Sequence, residues 1–233
     1  MTDDYAQDFR DFIHSHPADK PTDGTDASGS SHKHYGLSNP TMRGFVKTWI
    51  GAHPDLTYAD WESLLTALYR GESVDERSFA GFLLGEYKNF RQMLPLIVLD
   101  EWINQLEGWR EIDTTCQSNY TAAEVLVRWD AWRPFLIDLS QRETIQHRRA
   151  SLVLLIKPVR DSEDSRLITT ALENVERLKH EGDKLITKAI SWILREAIKK
   201  HRDVVGAYVA KQADTLPAIA VREFKTKFET GKK

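Results

Sequence analysis

A single cysteine, Cys116, stands in a chain of 233 residues. One cysteine excludes an internal disulfide, is at home in a reducing compartment, and leaves no cysteine framework for zinc. Long hydrophobic runs are missing as well. Nowhere do about 18 apolar residues follow one another, so no segment reads as a membrane span. The first residues, MTDDYAQDFRDF, are acidic where a secretory or mitochondrial leader would be basic. The expectation is a cytoplasmic protein with no membrane partner. A Gly-rich phosphate loop, a G-x-S-x-G elbow and an H-E-x-x-H helix are all absent, which removes three common routes to nucleotide, serine-hydrolase and zinc chemistry.

What is present is the balance of a globular chain, 41% hydrophobic and 29% charged, long enough to bury a core. The formal net charge of −3 is unevenly spread. Residues 1 to 26 carry seven aspartates against Arg10 and Lys20, a net of −5, so the remainder carries +2, with Lys and Arg gathered near 142 to 160 and 179 to 233. A local basic surface is therefore compatible with the acidic total, because a nucleic-acid footprint is a local property.

Residues 17 to 34, PADKPTDGTDASGSSHKH, lack apolar periodicity and are rich in Pro, Gly, Ser, Thr and Asp, which predicts a flexible linker after a short helix over 5 to 14. The expected organisation is an acidic, partly flexible segment over 1 to 34 and a helical body over 35 to 233. The paired histidines His14, His16, His32 and His34 lack acidic or cysteine partners at ligand spacing and read as solvated side chains rather than a metal site.

From Pro40 onward apolar residues recur at helical spacing, as in Phe45 and Trp49, or Trp61, Leu64, Leu65 and Leu68. Helices are expected over 40–52, 57–69, 75–88, 91–107, 109–118, 121–139, 142–157, 163–179, 182–200, 202–212 and 217–229. Only SLVLLIKPV at 151–159 has the composition of a strand, and its isolation argues against a sheet. Helix, turn, helix at a period of roughly 40 residues predicts an all-α chain, an α-solenoid of HEAT-like repeats whose concave face offers a binding surface. Trp49, Trp61, Trp102, Trp129 and Trp132 fall among apolar residues and read as packing between repeats.

Three places carry possible chemistry. In the helix over 182 to 200, Ile186, Ile190, Ile193 and Ala197 make a core stripe, while Lys188, Trp192, Arg195 and Lys199 align nearly opposite. Trp192 then either packs against a neighbouring repeat or forms an aromatic surface among phosphate-binding cations. In LEGWREIDTTC, Trp109 and Asp113 stand four apart, on one helical face. That pair is either a core indole with a capping acid, or a carboxylate and π face suited to a cationic transition state. Arg149 falls on the stripe of Ile145, Leu152 and Ile156, where an apolar residue is expected. It pairs with an acid such as Asp113, or reaches across the concave face to a phosphate with its planar fork.

Four stretches in this order resemble one family. ITKAISWILREAIKKHRDVVGAYV at 186 to 209, GLSNPTMR at 36 to 43, GWREID at 108 to 113 and RASLVLLIK at 149 to 157 are similar to the motifs of the AlkD-type alkylpurine DNA glycosylases, a HEAT-like repeat family, over about residues 35 to 230. The resemblance implies a DNA glycosylase that removes cationic N3- or N7-alkylated purines from double-stranded DNA, with no metal or other cofactor and without flipping the base; a monomer is expected. It assigns Asp113 as the catalytic carboxylate and Trp109 and Trp192 as the aromatic cleft around the sugar. It assigns Arg149 to the DNA backbone, and DNA binding is expected as well at its neighbour Arg148, at the cations Lys188, Arg195 and Lys199 beside Trp192, and at Arg43. Gln146, Arg110 and Ser191 depart from the motifs, replacing an aromatic, the second residue of a WWD and a glycine, and mark where specificity would differ. The alternative, from another class, is a HEAT-like module that binds damaged or branched DNA, or a protein, with no chemistry of its own.

Overall fold

The computed structural model describes residues 4–20, 27–117 and 119–231, and every element among them is a helix. Strand-like pairing among the described residues is limited to one isolated bridge between Lys33 and Ser73. The expected all-α helical-repeat class is what the structure has. None of the described helices is long and apolar enough to cross a membrane.

Contacts gather the chain into two compact units, Met1–Thr115 and Cys116–Lys233. The first holds α1 (Tyr5–Ser15), α2 (Asn39–Ala52), α3 (Tyr58–Tyr69), α4 (Val74–Glu86), α5 (Lys88–Met93), α6 (Leu96–Ile103) and nearly all of α7 (Gly108–Cys116). Here α3 packs on α4, α1 lies on both, and α2 lies on α4. Phe9 of α1, Phe45 of α2 and Phe79 of α4 meet edge-on with centroids 5.2 to 5.7 Å apart, the offset geometry that aromatic quadrupoles prefer. Local chemistry starts these helices. Ser38 accepts from the Thr41 N–H with Pro40 in the first turn, and Ser73 and Glu76 form a reciprocal capping box at α4. Pro95, with no N–H to donate, separates α5 from α6, so the single helix expected over 91–107 is two.

The second unit holds α8 (Ala122–Val127), α9 (Trp129–Leu139), α10 (Ile145–Asp161), α11 (Ser165–Leu178), α12 (Lys184–Gln212) and α13 (Ala218–Thr230). Its centre is α10, which packs against α8, α9, α11 and α12. The strand-like run at 151–159 lies inside α10 and is helix. Residues 149 to 156 are all buried, so the run lost its periodicity because neighbours cover the helix all round. The helix expected over 121–139 breaks at Arg128, whose φ of −117° and ψ of 32° leave the helical region. The two helices expected over 182–200 and 202–212 are both present within α12, which leaves helical geometry between them at His201 (φ −132°, ψ 35°).

The flexible linker expected over 17–34 meets a different finding where it is described; residues 21–26 lie outside the described residues. Residues 27–34 run against α4 and α7. The Val74 N–H donates to the Lys33 carbonyl at 2.8 Å, and Ser28 is buried.

Candidate active site

Helix α7 sorts its residues into two faces. Gly108, Glu111, Ile112, Thr115 and Cys116 are buried, while Trp109, Arg110, Asp113 and Thr114 reach the other side. The four-residue spacing of Trp109 and Asp113 therefore does place both on one accessible helical face. Trp109 is 44% exposed, among the few large hydrophobic side chains that water reaches, and Asp113 is half-buried. Leaving an indole in water is unfavourable for a packing residue, so Trp109 is not serving the core.

The start of α7 is shaped by the segment before α2. Gly108 has φ +60°, and a Cβ there would sit 2.6 Å from Ser28 Oγ and 2.8 Å from both the Ser28 carbonyl and the Ser30 nitrogen. The next residue, Trp109, donates its backbone N–H to the Ser28 carbonyl at 3.1 Å. Glu111, fully buried, accepts on one oxygen from Ser30 Oγ (2.6 Å) and His32 Nδ1 (2.9 Å), and on the other from the Glu107 N–H (2.8 Å). Arg77 of α4 approaches that second oxygen at 3.6 Å. Burial lowers the Arg77 pKa, and the charges of Glu111, Glu76 and Glu107 oppose the shift. Arg110, a departure from the resembled motif, has its guanidinium bonded to His34 Nε2 at 2.9 Å and 6.0 Å from the Trp109 ring centre. Nearby Asp75 is buried, which raises its pKa against the opposing pull of the Tyr35 N–H, His34, the Leu37 N–H and Arg110. His32 and His34 are thus bonded to α7 rather than solvated. Among the described residues no group of three or more His, Cys, Asp or Glu side chains is placed to hold a metal.

In the second unit, the expected stripes of α12 are present in part. Ile186, Ile190, Ile193 and Ala197 are all buried. On the other face Lys188 and Lys199 are exposed and Trp192 is half-buried, but Arg195 is only 8% exposed and lies 3.4 Å from Glu223 of α13. Ser191, in place of the motif's glycine, donates to the same carboxylate at 2.5 Å, and Lys188 lies 3.9 Å from it. Burial would raise the Glu223 pKa, yet the Ser191 hydroxyl, Arg195, Lys188 and Arg222 outweigh it and hold the carboxyl below its ordinary range. The basic stripe is therefore interrupted by an acid that a helical wheel of α12 could not display. Lys199 also has an acidic neighbour, Asp161, at 3.4 Å.

Arg149 is 4% exposed and donates to the Leu185 carbonyl. That carbonyl gives Arg149 a partner within the fold. Arg148 donates to the carbonyls of Arg142 and Glu143 and pairs with Glu181 at 2.9 Å. Gln146 is half-buried on the same helix. In the first unit Arg43 is exposed and lies over the Phe82 ring, 4.1 Å from its centroid.

Sequence reasoning passed over Glu111, Ser30 and Glu223, and read His32 as solvated. A signal existed for Glu111, since a wheel of 108–116 puts it with Ile112 and Thr115, opposite Trp109 and Asp113. None existed for the others, whose hydrogen-bond partners on other elements lie 32 to 81 residues away in the chain.

Comparison with known proteins identifies a family and a shared fold. The family model described as "DNA alkylation repair enzyme" matches residues 9–227. Among solved structures, one described as a predicted DNA alkylation repair enzyme from Enterococcus faecalis superposes with a TM-score of 0.70 at 16% identity, over 86% of this chain and 90% of that one. No curated protein sequence matches the chain.

Proposed function

The chain belongs to the DNA alkylation repair enzyme family, and on that premise we propose that it is a DNA glycosylase hydrolysing the N-glycosidic bond of cationic N3- or N7-alkylated purines in duplex DNA. The observation that carries this reading is the accessible face of α7, where a carboxylate, Asp113, stands one turn from a water-exposed indole, Trp109. A purine alkylated at N3 or N7 already bears positive charge, so the C1′–N bond breaks with its electron pair leaving on a neutral base. No general acid is needed to protonate the leaving group, unlike in an ordinary glycosidase. What the reaction does need is stabilisation of the oxocarbenium left at C1′. Asp113 supplies the anion and Trp109 an electron-rich face, a role that the resemblance gives to Trp192 as well, and water adds at C1′ and releases a proton.

Double-stranded DNA is the expected partner. The cations whose side chains reach solvent, Lys188, Lys199 and Arg43, are its expected phosphate contacts. Arg148, Arg149 and Arg195, held by carbonyls or acids, would contribute by shaping that surface. The resemblance adds that the base stays stacked, in which case no deep base pocket is required.

The test is release of free base from methylated duplex DNA by the purified protein and by Asp113→Asn, with EDTA present throughout. Loss of a positioned electrostatic partner at the reacting centre is worth about 10²- to 10³-fold in rate. The proposal expects release by the wild type, a loss of that order in the variant, and DNA binding retained by both. Binding without release by the wild type would overturn it and leave a DNA-binding module.

A further inference from the structure

Beyond the α7 face itself, a polar cluster joins residues 28–34 to the buried side of that helix. We infer that this stretch is a positioning strap for α7, and that His32 and Ser30, acting through Glu111, set the orientation of Asp113 and Trp109. The inference rests on the proposed reading of α7 as the reacting helix.

Four links converge within one turn of helix. The Ser28 carbonyl accepts from the backbone N–H of Trp109 itself (3.1 Å), and Gly108 admits the strap where any Cβ would collide with it. Ser31 donates its N–H (2.8 Å) and hydroxyl (2.7 Å) to Glu107, the residue before α7 begins. Ser30 and His32 both donate to one oxygen of Glu111. His34 receives Arg110 on the accessible face. Glu111 is the hub because both of its oxygens are engaged. Its second oxygen takes the Glu107 N–H at the start of the helix, so the carboxylate ties strap, helix N-terminus and α4 together. A fully buried carboxylate in that position holds one geometry, since losing either donor leaves a charge without its hydrogen bond in a medium that cannot replace it. Asp113 is two residues beyond this hub on a rigid helix, so a rotation of α7 about Glu111 moves it directly. Displacements of about 1 Å at a reacting group cost about 10²-fold in rate.

The experiment compares wild type, His32→Ala, His32→Asn and Ser30→Ala in the full chain by two readouts. One is kcat and KM for release of methylated base from duplex DNA. The other is hydrogen exchange of the α7 amides, with the amides of α3 as an internal reference. The strap expects His32→Ala to lower kcat about 10- to 100-fold with KM unchanged within about twofold. It also expects the amides of 108–116 to exchange faster while those of 58–69 do not. Ser30→Ala should show the same pattern more weakly. His32→Asn, which keeps a donor near the Nδ1 position, should recover most of both effects. Unchanged α7 exchange in His32→Ala and Ser30→Ala overturns the strap whatever the rates do. Faster exchange with undiminished kcat overturns its positioning role. If the wild type releases no base, it is the glycosylase reading that has failed, and the exchange data alone decide whether the strap holds α7.

Discussion

Replacing Gly108 by Ala tests how tightly the start of α7 is held. Two costs add. At φ +60° a residue with a Cβ adopts the left-handed region at about 1–2 kcal/mol that glycine does not incur. The new methyl would also lie 2.6 Å from Ser28 Oγ and 2.8 Å from the Ser28 carbonyl and Ser30 nitrogen. Two of those three atoms are backbone, so rotating the serine cannot clear the site. The strap must move, and forcing a methyl into a packed place costs about 1–3 kcal/mol. The expected destabilisation is about 2–5 kcal/mol, and each kcal/mol lowers Tm by about 2–4 °C in a protein of this size. Urea and thermal unfolding followed by far-UV circular dichroism measure it. Adding Ser28→Ala should recover only part of the loss, because it removes the hydroxyl and leaves the backbone contacts. A Gly108→Ala protein within about 0.5 kcal/mol of wild type would refute the reasoning, since neither the dihedral nor the close approach would then be real constraints.

Two more predictions concern pH. His201, buried at the α12 kink, has its pKa lowered by burial, with the Ser162 backbone, Glu163 and Asp164 pulling the other way. The unfolded chain then takes up a proton more readily than the folded one, so stability present above about pH 6.5 falls as pH drops below the unfolded value and levels off under the folded one. His201→Gln should flatten the dependence of Tm on pH in that window; an equally steep curve would contradict the assignment. Glu223 has the depressed pKa of a carboxylate held by Ser191 and three cations, so its contribution is present above about pH 4.3 and lost as pH falls through the folded value. Glu223→Gln should lose less stability than wild type between about pH 5 and 3, by no more than about 1 kcal/mol given its partial exposure. At neutral pH and low salt the same variant should bind duplex DNA more tightly through Lys188, as gel shift or fluorescence anisotropy would report.

Much of the α7 site was legible locally. The spacing of Trp109 and Asp113 placed both on one face because a helix repeats every 3.6 residues, and no tertiary contact is needed to know that. The core stripe of α12 was legible for the same reason. The rest of the α12 face was not. Arg195 reads as a surface cation on a wheel, but α13 covers it and brings Glu223. Arg149 sat on an apolar stripe, so its burial was visible, while its carbonyl partner on Leu185 was not. Residues 28–34 looked like part of a linker because their partners are Glu72 and Val74 at the start of α4 and Glu107, Trp109 and Glu111 around the start of α7 rather than a local ladder, and composition registers only the missing ladder.

By itself, then, the sequence determined what depends on neighbours along the chain: an all-α class, most helix positions, their caps, their apolar stripes, and the motifs that resemble one repair family. Tertiary structure alone decided which polar groups face each other. It put Ser30 and His32 on Glu111, Glu223 among Ser191, Lys188 and Arg195, and the run at 151–159 into a helix buried on every side. The physical reason is one of range. Helix propensity and amphipathic spacing act within a few residues. A buried charge is satisfied by whichever donor the packing delivers, and here those donors come from about 30 to 80 residues away.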